Sequence, residues 1–126
     1  MISEGTFFIN ADNSGAKIIK CVKINKSSRN RKIISSFVKL SLRKFANKIK
    51  LKKHVVYNGM PTIIKNYVFR KDGLIFKGGS NRSLLFNESY KFLGTRCKGL
   101  VLRELRKNAL LFKSALKIVK YHTFQI

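Results

Sequence analysis

The chain has 126 residues, enough for one domain that buries roughly two thirds of the surface its unfolded form exposes. Twenty-eight Lys and Arg stand against five Asp and Glu, a formal charge of +23, and self-repulsion of that size disfavours a compact state unless a polyanion neutralises it. No window of about 18 uncharged apolar residues exists, so no membrane-spanning helix is supported, and the expected partner is a nucleic acid, with an anionic membrane surface as the alternative.

In chain order, the opening MISEGTFFIN has neither the basic start of a secretory signal nor the Arg-rich character of a transit peptide, so the chain is expected to work where it is made. Thr6 to Asn10 is short and apolar and Ala16 to Asn25 is rich in Ile and Val; both read as strands. In the second, Lys17, Lys20 and Lys23 recur every third residue, a spacing that a regular strand does not explain. Between the two lies Asp12-Asn13-Ser14-Gly15, with the preferences of a type I turn: Asp first to accept backbone N–H bonds, Gly last. Such a turn can also point N–H groups outward at an anion.

Lys26 to Lys32, KSSRNRK, reads as a solvated or phosphate-facing loop. Val38, Leu40 and Leu42 then alternate with Lys39, Ser41 and Arg43, a half-buried strand with one basic face. Lys48 to His54 holds four lysines within six residues, a solvated charge run. Thr62 to Arg70 is strand-like, and Pro61 argues that this strand begins after it. Asp72-Gly73 between apolar residues signals a hairpin, and Gly78-Gly79-Ser80-Asn81 a further turn before a strand from Ser83 to Asn87. From Arg103 the composition shifts to Leu, Ala, Lys and Arg, and Leu105, Ala109, Leu110, Phe112 and Leu116 form a loose helical stripe. Many short strands followed by a terminal helix predict an all-β fold, a small barrel with a C-terminal α-helical appendage.

Candidate chemistry is sparse. Glu4, Asp12, Asp72, Glu88 and Glu104 are scattered, His54 and His122 have no partner nearby in sequence, and no phosphate-loop, zinc-protease or nucleophile-elbow motif occurs. Cys21 and Cys97 lie far apart without ligand spacing and read as two reduced, mostly buried thiols, so neither a metal nor a cofactor is expected. What remains is binding. Basic residues are interleaved through every element, which suits a protein embedded among phosphates rather than one with a single groove. Phe7, Phe8, Phe69, Phe76 and Phe86 occupy strand positions and are expected in the core. Lys, Ile, Asn and Phe number 20, 13, 10 and 10 against 8 Gly, 8 Arg, 5 Ala and one Pro, an excess of residues with A/T-rich codons that suggests an A/T-rich genome such as an organelle's.

Three stretches line up in order and spacing: NADNSGAK (Asn10 to Lys17), RKDGLIFKGGSNRSLLFN (Arg70 to Asn87) and GTRCKGLVLREL (Gly94 to Leu105). Over roughly residues 1 to 107 the chain resembles the universal large-subunit ribosomal protein fourteen family. The resemblance implies a closed five-stranded β-barrel over residues 1–107, with the start of a helical motif, and a basic helical extension of the same domain over 108–126. It implies a structural constituent of the large ribosomal subunit that binds large-subunit rRNA, touches neighbouring large-subunit proteins, meets small-subunit rRNA across a bridge, and is not a homo-oligomer.

Carried onto this chain, the rRNA contacts fall on the signature turn Asp12, Asn13, Ser14 and Gly15 with Lys17, and on Arg82 in the barrel. Arg29, Arg31 and Lys32, then Lys48, Lys50, Lys52 and Lys53, and Arg70 add basic contacts of the same kind. Gly94, Thr95 and Arg96, with Arg103, Glu104 and Arg106, match the remaining motif and are expected at the intersubunit or protein contact. The family's Gly-Pro-Val is Gly99-Leu100-Val101 here, His54 to Asn66 replaces a Gly-Asp turn and Val-rich strand, and residues 108–126 are longer and more basic than the usual ending. Drift of this kind with the excess of residues that have A/T-rich codons points to a mitochondrial ribosome and an organelle-encoded chain, with a plastid or bacterial ribosome as the alternative. The competing reading is a free-standing barrel of the oligonucleotide-binding type that takes single-stranded RNA, which would need an exposed aromatic platform. A membrane-surface protein held by its basic terminal helix is a third.

Overall fold

The computed structural model describes residues 2–24, 36–46 and 51–105. Within them lie seven strands: β1 (Phe7–Asn10), β2 (Ala16–Ile24), β3 (Val38–Phe45), β4 (Val56–Ile63), β5 (Tyr67–Phe69), β6 (Ile75–Lys77) and β7 (Arg82–Phe86). Five close into a barrel in the order β1-β2-β3-β4-β7, as the resemblance implies. Neighbours run antiparallel except at the closure, where β1 meets β7 in parallel through Ile9↔Arg82 and Asn10↔Ser83. Closure leaves these five strands without an unpaired edge.

The lysine spacing of β2 has its explanation in bulges. Its ladder to β3 shifts register between Ala16 and Ile18, between Ile18 and Ile19, and between Cys21 and Lys23. The first and last shifts put the extra residue in β2, at Lys17 and Val22, and the middle one puts it in β3, at Arg43, so the buried positions Ala16, Ile19 and Cys21 fall three and then two apart instead of strictly two. Lys17 and Lys23 stay outward as a result, and Lys20 is half-buried.

Pro61 does not precede its strand, as expected, but lies inside β4. The ladder of β4 with β3 ends at Gly59↔Val38, and the ladder with β7 is bulged between Pro61 and Ile63. A residue without an N–H is tolerated at such a place. The stretch from Thr62 to Arg70 is therefore two elements, the end of β4 and the whole of β5.

The hairpin at Asp72-Gly73 is present. The Gly73 N–H donates to the Arg70 carbonyl (3.2 Å) and the Arg70 N–H to the Leu74 carbonyl (3.0 Å), while Gly73 takes φ +83°. This is the three-residue loop in which a left-handed glycine closes a type I turn. The hairpin β5–β6 forms its own two-stranded sheet outside the barrel.

Phe8, Ile19, Leu40, Met60, Leu84, Leu85 and Phe86 are fully buried in one hydrophobic core, to which Val101, Leu102 and Leu105 also belong; Leu85 lies on the same face as Leu40, and Leu84 and Phe86 on the opposite face of β7. Each such side chain stabilises by roughly 1.5–3 kcal/mol relative to exposure. Leu40 occupies the space that a Cβ on Gly59 would need, which makes that glycine part of the packing. The expectation that all five strand phenylalanines are core holds for Phe8 and Phe86, with Phe76 packed against them. It fails for Phe7 and Phe69, 56% and 75% exposed. Phe7 adjoins the inward Phe8, so alternation sends it outward, and Phe69 lies on the outer face of a hairpin covered on one side only.

Arg103–Leu105 form a single 3-10 turn. The expected helix beyond it, the division at 107/108, the loop Lys26 to Lys32 and the first part of the lysine run all lie outside the described residues.

Candidate nucleic-acid interface

The signature turn and the Gly94-Thr95-Arg96 motif, more than 80 residues apart in sequence, meet in one place. Asp12 is 5% exposed and its carboxylate is directed inward. Oδ1 accepts hydrogen bonds from the Ser14 N–H (2.8 Å), from the Ser14 hydroxyl and from Asn10 Nδ2 (2.5 Å), and Oδ2 accepts from the Leu85 N–H on β7 (3.0 Å). An aspartate here closes its own turn and satisfies a barrel strand at once. The Ser14 N–H is therefore occupied, so the turn does not offer this donor to an external anion.

Next to it, the Asn13 side chain reaches the other motif. Its Oδ1 accepts from the backbone N–H of Thr95 (2.7 Å) and Arg96 (3.2 Å), and its Nδ2 donates to Thr95 Oγ1 (2.7 Å). Asp12 and Cys97 form a β-bridge, and the Lys98 N–H donates to the Ala11 carbonyl (2.5 Å). Gly94 is required by contact: a Cβ there would come within 2.9 Å of Asn13 Oδ1 and 3.0 Å of Asp12 Cβ. The far end of the segment is fixed by Gly99, at φ +88°, where a Cβ would come within 2.5 Å of an Arg82 guanidinium nitrogen. Arg82 is half-buried and its Nε donates to Ser80 Oγ (3.2 Å). The consequence of this clamping is that Arg96 and Lys98 project outward from a fixed backbone.

A second junction ties the hairpin to the 3-10 turn Arg103–Leu105. Arg70 donates to Glu104 from both Nε (2.6 Å) and Nη2 (3.2 Å), a bidentate pair with side chains only 12% and 25% exposed. Burial opposes ionisation of Glu104, but the Arg70 hydrogen bonds and charge outweigh it and hold the carboxyl below its ordinary value. The same bond raises the Arg70 guanidinium still further above neutrality. Arg103 Nη2 approaches Asp72 at 3.6 Å, with both side chains about half exposed.

Of the remaining expected contacts, Lys17 is exposed on β2, Lys52 and Lys53 are exposed ahead of β4, and Gly15 turns at φ +91°. Arg29, Arg31, Lys32, Lys48, Lys50 and Arg106 lie outside the described residues. Burial, reinforced by the charge of Asp12 and only partly offset by Arg82, pushes the Cys97 thiol up to about 12. Burial and Glu4 raise Cys21 as well. Both thiols are thus neutral and unreactive near pH 7.

Two features escaped the sequence. Asn10 donates from Nδ2 to Asp12 Oδ1 and to the Ala16 carbonyl (3.1 Å), bracing both ends of the turn. Its place at the start of NADNSGA was a visible signal. The other is the outward apolar set Phe7, Ile9 and Ile18 beside Lys20, Arg43 and Lys44, which only the strand register brings together.

Comparison with known proteins places these motifs in context. The family model described as ribosomal protein L14p/L23e matches residues 1–120. The large ribosomal subunit protein uL14 of Carsonella ruddii (strain PV) is 36% identical over 107 residues, which span 84% of this chain and 88% of that relative.

Proposed function

The chain belongs to the ribosomal protein L14p/L23e family and is a structural constituent of the large ribosomal subunit; from that premise we propose that it neutralises rRNA phosphates around a closed barrel and presents a clamped loop at a subunit or protein contact. The observation that carries this is the disposition of its few acids. Asp12 is buried, and Glu104 and Asp72 face Arg70 and Arg103, so three of the five acids are engaged within the protein, and the exposed Glu4 and Glu88 are far outnumbered by exposed lysines and arginines. Such a surface binds by releasing counterions from the phosphate backbone, with little reading of bases.

Lys17, Lys52 and Lys53, together with Arg29, Arg31, Lys32, Lys48 and Lys50 from the basic stretches, are the phosphate contacts on this reading. Asn13, Gly15, Arg70 and Arg82 support them, with Asp12 and Ser14 acting by shaping the turn. Gly94, Thr95 and Arg96, with Arg103, Glu104 and Arg106, form the intersubunit or protein contact, where small-subunit rRNA and neighbouring large-subunit proteins are the partners. The chain acts as one copy per subunit, without catalysis or cofactor. Its excess of residues with A/T-rich codons supports a mitochondrial ribosome and an organelle-encoded gene, whereas the relative above is bacterial. Locating the reading frame in nuclear or bacterial DNA would overturn that assignment.

Two experiments test the mechanism. The affinity of the chain for rRNA falls steeply as salt rises, and a salt-independent affinity contradicts phosphate neutralisation. Arg96→Glu and Arg103→Glu each reduce incorporation into large subunits, and normal incorporation of both contradicts the assigned contact.

A further inference from the structure

The outer face of β1, β2 and β3 carries a groove whose floor is apolar and whose rim is cationic. Phe7 and Ile9 point outward from β1, 56% and 50% exposed, because Phe8 between them is buried in the core. Across the ladder Lys20 is the register partner of Phe7, and Ile18 of Ile9. Lys20 Nζ lies 5.9 Å from the centre of the Phe7 ring, within reach of a cation–π contact. Ile18 is in turn the register partner of Lys44 on β3, which with Arg43 forms the far wall. The depression is open to solvent with a volume of about 570 Å³, in the range of small-molecule sites, and among the described residues no acidic side chain lines it.

An exposed Phe between isoleucines is a poor partner for a double helix, whose accessible backbone offers phosphate and sugar. Three cations around it are a poor partner for an apolar protein side chain. One ligand matches both parts: an unpaired nucleotide, whose base has an apolar face for Phe7 and whose phosphates carry the complementary charge. We infer that this groove holds one unpaired nucleotide of the large-subunit rRNA, its base stacked on Phe7 beside Ile9 and Ile18 and its flanking phosphates held by Lys20, Arg43 and Lys44. This rests on the reading that the chain is bound to rRNA, and adds to it a base contact that phosphate neutralisation does not require. Stacking of this kind tolerates any base, since every base has a π face.

Intact large subunits are irradiated with ultraviolet light and the peptide containing Phe7 is analysed by mass spectrometry. In parallel, equal amounts of the wild-type and Phe7→Ala chains compete for subunits that lack the protein. The expected result is a nucleotide adduct on Phe7 and preference for the wild type by roughly tenfold, with Phe7→Leu between the two. Phe7 is outside the core, so these variants leave the barrel folded; matching circular dichroism spectra check this. RNA adducts at other residues, with none at Phe7 and equal incorporation of the variants, overturn the groove and leave the rRNA-bound reading intact. A Phe7 peptide crosslinked to a protein overturns it in favour of a protein neighbour. Absence of any RNA adduct on the chain overturns the reading beneath it as well.

Discussion

Asp12 and Asp72 both sit in short polar turns with a glycine following, and the fold treats them differently. The Asp12 carboxylate is buried and bonds to Leu85, 73 residues away, as well as to its own turn. The Asp72 carboxylate is half exposed, makes one long hydrogen bond to Leu74 N–H (3.4 Å) and faces Arg103 at 3.6 Å. The same residue type thus organises a barrel in one turn and decorates a hairpin in the other. The difference lies in reach, because a buried acceptor that satisfies distant N–H groups leaves them unpaired when it is removed, whereas an exposed one is replaced by water.

Substitutions sharpen this contrast, and are compared by urea unfolding at high salt, where self-repulsion is screened. Asp12→Ala should have the largest effect, a loss of about 3 kcal/mol, since the N–H groups of Ser14 and Leu85 lose their acceptor inside the protein. A loss below about 1 kcal/mol would break the contrast. Asn13→Ala should follow at about 1–2 kcal/mol, and a double-mutant cycle with Thr95→Ala should give a coupling near 1 kcal/mol if the two motifs hold one another.

Glu104→Gln should lower stability by about 1 kcal/mol at neutral pH, an effect moderated by the partial exposure of the pair. Because the folded carboxyl is held below its free value of 4.5, this contribution is fully present above that pH. It disappears as the pH falls through and below 4.5, where wild type and variant should converge. A difference that persisted in acid would mean that the pair is not the cause. Asp72→Ala should have the smallest effect, under about 0.5 kcal/mol.

The sequence shows unequal parts of this picture. The turn at Asp12, the hairpin at Asp72-Gly73 and the alternation of β3 are local features, encoded by residues that touch one another. Pro61 misled because the rule against a proline in a strand assumes both ladders are intact, and β4 lacks one of them there. The three-residue lysine spacing of β2 was visible, but its cause, a bulged register, depends on the partner strand. The clamp between Asn13 and Thr95 was carried by two recognisable motifs whose meeting no periodicity could reveal. The groove at Phe7 depends on register across three strands and had no sequence signal beyond two adjacent phenylalanines, one of which had to face outward.

The most direct measurement is sedimentation of the native protein from a gentle lysate, followed by a wash of moderate ionic strength. The account predicts stoichiometric co-migration with the large ribosomal subunit that survives the wash. Migration as a free protein or as a small ribonucleoprotein would contradict it.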